Sequence, residues 1–310
     1  MEVSLLLIRQ IAELFFMLLM GFIIAKIRFL SEADSKVVSK LVLYLVMPCS
    51  ILNAFQESFS KEKLRGLLLA FAAALLAHLL LMAVNAACQR LLHMDGVEVC
   101  SAYYSNAANL IIPVVGYVLG GEWVLYSCAY ITVQTAFIWT HGKRIMSGEK
   151  GFGWKKVFTN INLLVTAAGI VMFLGQLRMP ALLRETVASV GQMVGPLSMI
   201  VTGILVGYMP LKEVFATRRV YLVSALRLLL YPLLFLAVLK CSGMAALTPD
   251  GDTILLVSFL ATTAPSAAAI VQMAQVYGGD SAYASKINVM TTLLCILTMP
   301  LMIGLFELLL

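Results

Sequence analysis

Ten apolar stretches of about twenty residues, parted by short polar breaks, run through this sequence at roughly 5–25, 37–57, 66–87, 97–119, 123–141, 161–178, 186–208, 219–240, 253–277 and 284–307. A helix needs about 20 mostly apolar residues to cross the ~30 Å hydrocarbon layer of a bilayer. Within that layer every backbone N–H and C=O must be bonded inside the protein, and an apolar run of this length satisfies the demand as a helix. The spans therefore predict an all-α integral membrane protein with ten transmembrane helices. Composition agrees: 61% of residues are hydrophobic and only 12% are charged, too little polar surface to solvate a water-soluble domain. The first span reads as a mature helix rather than a cleaved leader. Glu2 precedes it, its apolar run is long, and Lys26 to Arg28 follow without a small-residue cleavage site.

Cys49, Cys88, Cys100, Cys128, Cys241 and Cys295 mostly fall inside apolar runs with no paired spacing, so they read as small hydrophobes. Neither a metal nor another cofactor is expected. The net charge of +6 gathers at span ends, which points to membrane topology rather than to nucleic acid. Loops after odd-numbered spans hold twelve basic residues: Lys26, Arg28, Lys36, Arg90, Lys143, Arg144, Lys150, Lys155, Lys156, Lys212, Arg218 and Arg219. Loops after even-numbered spans hold six: Lys61, Lys63, Arg65, Arg178, Arg184 and Lys240. Positive charge marks the cytoplasmic side, so both termini are expected outside and the 142–160 loop in the cytosol of a cell with a multi-pass plasma (inner) membrane protein.

That loop divides the spans into two sets of five that echo each other, 1–141 and 161–310. Met47-Pro48-Cys49-Ser50-Ile51 in span two is matched by Gly195-Pro196-Leu197-Ser198-Met199 in span seven. Tyr117-Val118-Leu119-Gly120-Gly121-Glu122 after span four is matched by Gln275-Val276-Tyr277-Gly278-Gly279-Asp280 after span nine. Because five is odd, the second set enters the membrane from the opposite side. Such inverted repeats belong to secondary transporters, which bind substrate near the midplane where the halves meet.

Spans four and nine carry the polar residues that such a site would use. Span four reads Tyr104-Ser105-Asn106-Ala107-Ala108-Asn109-Leu110-Ile111-Ile112-Pro113, and span nine reads Thr262-Thr263-Ala264-Pro265-Ser266-Ala267. A proline cannot donate a backbone hydrogen bond and obstructs the preceding turn, so Pro113 and Pro265 are expected to break their helices. Two broken helices crossing at the midplane would aim half-helix N-termini at one space, an arrangement that favours an anion. Asn106, Asn109, Pro113, Thr263, Pro265 and Ser266 are the candidate substrate-binding residues. The alternative is that the prolines are simple kinks and the polar side chains glue helices together.

These residues resemble the auxin efflux carrier family, which includes plant PIN-FORMED carriers and bacterial malate-permease-like proteins. The resemblance covers nearly the whole chain, and rests on the Met47-Pro48 helix, the segment from Asn106 to Pro113, and Pro265 with Tyr277-Gly278-Gly279-Asp280. It departs at Ala107, Ala108 and Ile111, where the family is richer in glycine. The resemblance implies a sodium/proton antiporter-like or bile-acid-symporter-like fold with crossover helices four and nine. Spans 1, 2, 6 and 7 would form a scaffold, often dimeric, and spans 3–5 with 8–10 a mobile transport domain. The implied substrates are small organic anions such as malate, malonate or auxin-like carboxylates, carried by an elevator-type movement. The short central loop is closer to bacterial members.

Charged residues inside spans add further candidates. Lys286, near the start of span ten, either meets a substrate carboxylate or snorkels to the interface. Arg227 in span eight either neutralises a carboxylate or contacts backbone carbonyls. Asn53, five residues after Pro48, could face the transport domain. Arg9 and Glu13 share a face of span one and read as a structural pair, and His78 reads as a packing residue. Neither crossover segment contains Asp or Glu, so facilitated anion movement is favoured over strict sodium coupling. A sodium- or proton-coupled symporter and a non-transporting membrane receptor or scaffold are the competing functions. An enzyme is not expected, since no catalytic constellation lies at matching depth.

Overall fold

The computed structural model of the chain describes residues 2–148 and 154–310, with side chains from Arg9 onward; Lys150 lies outside the described residues. The first part of the chain forms α1 (Glu2–Lys26), α2 (Glu32–Leu41), α3 (Met47–Ala54), α4 (Lys61–Leu92), α5 (Gly96–Tyr103), α6 (Ala107–Val118), α7 (Val124–Phe137) and α8 (Lys143–Ser147). Then follow α9 (Trp154–Phe158), α10 (Ile161–Leu174), α11 (Ala181–Gly191), α12 (Val194–Tyr208) and α13 (Leu211–Ala216). The remainder is α14 (Arg218–Ala225), α15 (Tyr231–Ser242), α16 (Gly251–Thr263), α17 (Ala268–Tyr277) and α18 (Ser281–Leu309). Among the described residues, the helical stretches Glu32–Ala54, Lys61–Leu92, Ala181–Tyr208, Arg218–Ser242 and Ser281–Leu309 are long and apolar enough to cross a membrane. Shorter apolar helices cover Ala107–Val118, Ile161–Leu174 and Gly251–Thr263. The protein is an all-α membrane protein.

Local sequence sets the irregularities. Pro48 and Pro232 each follow a π-helical turn, Val42–Val46 and Leu226–Leu230, which joins α2 to α3 and α14 to α15. A proline lacks the N–H its preceding turn would use and its ring crowds the carbonyl four residues back, so the helix widens there instead of ending. Capping boxes start α2 at Ser31 with Asp34, and α5 at Asp95 with Glu98, each satisfying orphan N–H groups. Arg9 and Glu13 pair at 3.2 Å along α1.

Packing is closest between α1 and α12, where glycine lets backbones touch. A Cβ on Gly203 would lie 1.9 Å from the Leu18 carbonyl oxygen, and one on Gly21 would lie 2.1 Å from the Ile200 carbonyl oxygen. This is the small-residue packing by which membrane helices gain van der Waals contact without a hydrophobic drive. The second half of span two, α3, packs on α10 and α11, while α2 packs on α12. Elsewhere α4, α7, α16 and α18 pack together, with α15 against α16 and α17 against α18. Buried His78 stays within this packing. Its Nδ1 lies 2.8 Å from the Ala74 carbonyl, and its ring sits among Tyr103, Tyr130 and Phe137.

Candidate functional site

Spans four and nine both break, and the two breaks pair with each other. Between α5 and α6, residues Tyr104 to Asn106 leave the helix; between α16 and α17, residues Ala264 to Ala267 do the same. Ser105 and Ser266 face one another in an antiparallel bridge. The Asn106 N–H donates to the Pro265 carbonyl at 2.7 Å, and the Ala267 N–H donates to the Tyr104 carbonyl at 2.9 Å. Non-helical backbone at membrane depth must find partners inside the protein, and here each break supplies them to the other.

Neighbouring helices complete the bonding in the same manner on both sides. Gln134 of α7 accepts from the Ser105 N–H at 3.0 Å and from the Ser105 hydroxyl at 2.8 Å, and donates to the Ser105 carbonyl at 2.7 Å. On the other side Thr291 of α18 accepts from the Ser266 N–H at 3.1 Å, and Asn288 donates to the Ser266 carbonyl at 2.7 Å. The buried Ser266 hydroxyl itself has no partner. Pro265 lies inside its break, as the sequence predicts. Pro113 does not: it sits within continuous α6, and the interruption of span four falls upstream at Tyr104–Asn106. The reason is energetic. Loss of one hydrogen bond at a proline only bends a helix, whereas the extended backbone at Ser105 is held open by Gln134 and the second break. Pro113 packs instead on α12, with the position of a Cβ on Gly195 only 2.7 Å from the proline Cβ.

Arg227, wholly buried, binds the ends of both first half-helices. Presented by the π-helical turn before Pro232, it donates to the Ala102 carbonyl at 3.2 Å and the Tyr103 carbonyl at 2.9 Å, at the end of α5. It donates to Ala264 at 3.1 Å and also to Thr262, at the end of α16. Each helix C-terminus carries a partial charge of about −0.5, so two of them balance one guanidinium. Of the two roles open to Arg227 in the sequence, the structure gives it backbone carbonyls.

A cavity lies beside the crossing, reached by the start of α6 and by the break ahead of α17. Its volume is about 40 Å³, and it lies between α1 and α12 on one side and α6 and α18 on the other. Asn106 and Pro265 line it from the breaks, Thr202 and Thr292 add hydroxyls, and Phe15, Leu110, Met199 and Ile296 form much of an apolar wall. None of the lining residues is charged. Neither α6 nor α17 carries a side-chain cap, so their first N–H groups stay unbonded by side chains at the crossing. Such N-termini attract negative charge.

The other sequence candidates lie at varied distances from this cavity. Asn109 donates to the Asn106 side-chain oxygen at 3.1 Å and so orients it. Thr263 turns back to the Leu260 carbonyl at 2.8 Å. Lys286 pairs with Glu213 of α13 at 3.1 Å, and Asn53 is half-buried on α3; neither lines the cavity. Sequence reasoning missed Gln134, Asn288, Thr291, Thr202 and Thr292. A lone amide in the apolar run of α7 was the available signal for Gln134, and the Asn288-to-Thr292 cluster for span ten. Among the described residues no group of three or more His, Cys, Asp or Glu is placed to hold a metal ion.

No curated protein sequence matches the chain. A family model described as membrane transport protein, that of the PIN-like auxin efflux carriers, matches residues 6–303, almost the whole length, and the chain belongs to this family.

Proposed function

We propose that the protein is a secondary transporter of small organic anions, bound at the crossing of spans four and nine and carried by an elevator-type alternation. One observation carries this reading: Asn106 and Pro265, which lead into the uncapped helices α6 and α17, both line an uncharged, largely apolar cavity. Partial positive charge from two helix ends is worth about 0.3–1 kcal/mol each to a carboxylate, and up to ~2 where partly buried. Support for ten spans in two inverted sets of five comes from the matched parts: Ser105 with Ser266, Gln134 with Thr291 and Asn288, and α5–α6 with α16–α17. In this arrangement α1–α3 and α10–α12 form the scaffold, joined to a second copy, and the remaining spans move. Both termini face outward.

The wall chemistry ranks the anions. An aromatic or alkyl body that buries about 100 Å² of apolar surface gains roughly 2–3 kcal/mol at ~25 cal/mol/Å². The second carboxylate of malate would instead lose its water against Leu110 and Ile296, with no cation among the lining residues to replace it. Auxin-like monocarboxylates are therefore the preferred class. With no carboxylate in the lining to hold sodium, movement follows the anion gradient and the membrane potential. Counterflow in liposomes tests the reading. Unlabelled arylacetates should accelerate entry of labelled indole-acetate, and malate should do so weakly; absence of exchange for every acid refutes carriage.

A further inference from the structure

A second cavity, of about 380 Å³, opens where the chain turns out of α3 and again where it turns into α11. It lies past the C-terminal end of α10, the end away from the basic 142–160 loop, and no part of the crossover lines it. Its wall is Gln56, Glu57, Ser58, Arg178, Met179 and Arg184. Glu57, the one acid, is already bonded to Lys63 at 2.7 Å, which leaves two guanidinium groups without a carboxylate in the wall. Arg178 donates to the Gln56 backbone carbonyl.

Gln56 gives an independent sign of a ligand. Its side chain is 1% exposed, and its Oε1 accepts from the Met179 N–H at 2.8 Å. That bond fixes which end of the amide is which, and the Nε2 is left without a partner. A buried amide donor with nothing to donate to is costly, and beside two arginines the group that satisfies it is an oxyanion. The adjoining α11 starts just after Pro180 with no side-chain cap, so its first N–H groups add to the same field.

The surroundings identify the carrier of that oxyanion. Leu174, Leu177, Leu182 and Leu183, each within four residues of Arg178 or Arg184 in the chain, are all exposed. Helix ends of a membrane protein lie at headgroup depth, so apolar side chains there meet acyl chains while arginines meet phosphates. We propose that this cavity binds the phosphodiester of an anionic phospholipid, with Arg178, Arg184 and the Gln56 amide on the phosphate and the leucines against the acyl chains. A free phosphate would use the arginines and leave the leucines idle, and a zwitterionic headgroup would bring an ammonium towards two guanidinium groups.

The test is native mass spectrometry of the delipidated full-length protein, titrated with dioctanoyl-phosphatidylglycerol, dioctanoyl-phosphatidylcholine or inorganic phosphate. The expected result is phosphatidylglycerol bound at least about tenfold tighter than phosphatidylcholine, with phosphate unable to displace it at millimolar concentration. Arg184→Gln and Gln56→Leu should each weaken it about tenfold, while Arg65→Gln, an exposed cation at the start of α4, leaves it unchanged. Arg184 is exposed, so its substitution leaves the fold intact. Equal binding by wild type and Arg184→Gln overturns the proposal. So does equal weakening by Arg65→Gln, which would mean general surface charge, or full displacement by phosphate, which would mean a free oxyanion.

Discussion

Replacing Arg227 removes the piece that ties the two breaks together. In Arg227→Met the carbonyls of Ala102, Tyr103, Thr262 and Ala264 lose their donor, and the ends of α5 and α16 face each other with like partial charges. Buried side-chain hydrogen bonds in membrane proteins are worth about 0.6 kcal/mol on average and up to ~1.7, so four amount to between about 2 and 7 kcal/mol. That is comparable with the whole stability margin of a typical protein, about 5–15 kcal/mol. Arg227→Lys keeps the charge, but a compact ammonium cannot fork between two helix ends, and it should recover less than half of the loss. The assay is the thermal midpoint of the detergent-purified protein followed by size-exclusion fluorescence, with the monodisperse yield recorded for wild type, Lys and Met variants. The expected order is wild type, then Lys, then Met, with the Met variant losing most of its monodisperse yield. A Met variant that keeps the wild-type midpoint and yield would refute the claim that this guanidinium holds the crossing together.

Three further outcomes follow from the same geometry. Lys286→Gln should leave the apparent substrate affinity within about twofold of wild type, because its partner is partly exposed Glu213 and such pairs contribute at most ~1 kcal/mol; a tenfold loss in transport affinity would return it to the site. Gly203→Ala places a methyl group 1.9 Å from the Leu18 carbonyl oxygen and should lower stability by about 1–3 kcal/mol, whereas Gly304→Ala, with open space around it, should not. Equal thermal midpoints for the two alanine variants would contradict the close α1–α12 packing. Cys295 lines the central cavity, so saturating monocarboxylate should slow its reaction with maleimide, read peptide by peptide; a rate indifferent to substrate would place the anion elsewhere.

The membrane class was legible in the sequence because it rests on length and apolarity, which span after span repeats, and the family because Met47-Pro48, the segment from Asn106 to Pro113 and Pro265 stand at local positions in the chain. Which segments break was legible too, since Pro113 and Pro265 mark them in apolar runs. The cause of the break in span four was not. Pro113 is the conspicuous residue, but the interruption depends on Gln134, which is 29 residues from Ser105 in sequence, and on Pro265, whose carbonyl receives the Asn106 N–H. A single sequence displays the breaking residue and hides its distant partner. Arg227 was visible as a buried charge, yet its four carbonyl partners lie on two other helices and carry no side-chain signature. Lys286 has the same history, because Glu213 belongs to a short helix outside the apolar pattern.

Transport current on a solid-supported membrane tests the central claim most directly, recorded for wild type and Asn106→Ala reconstituted at equal protein density. The account predicts a saturable, sodium-independent current with indole-acetate in wild type, and an apparent affinity weakened about tenfold in Asn106→Ala, the loss of one charge-assisted hydrogen bond of ~1.5 kcal/mol. A current that requires sodium, or one that Asn106→Ala leaves untouched in folded protein, would contradict it.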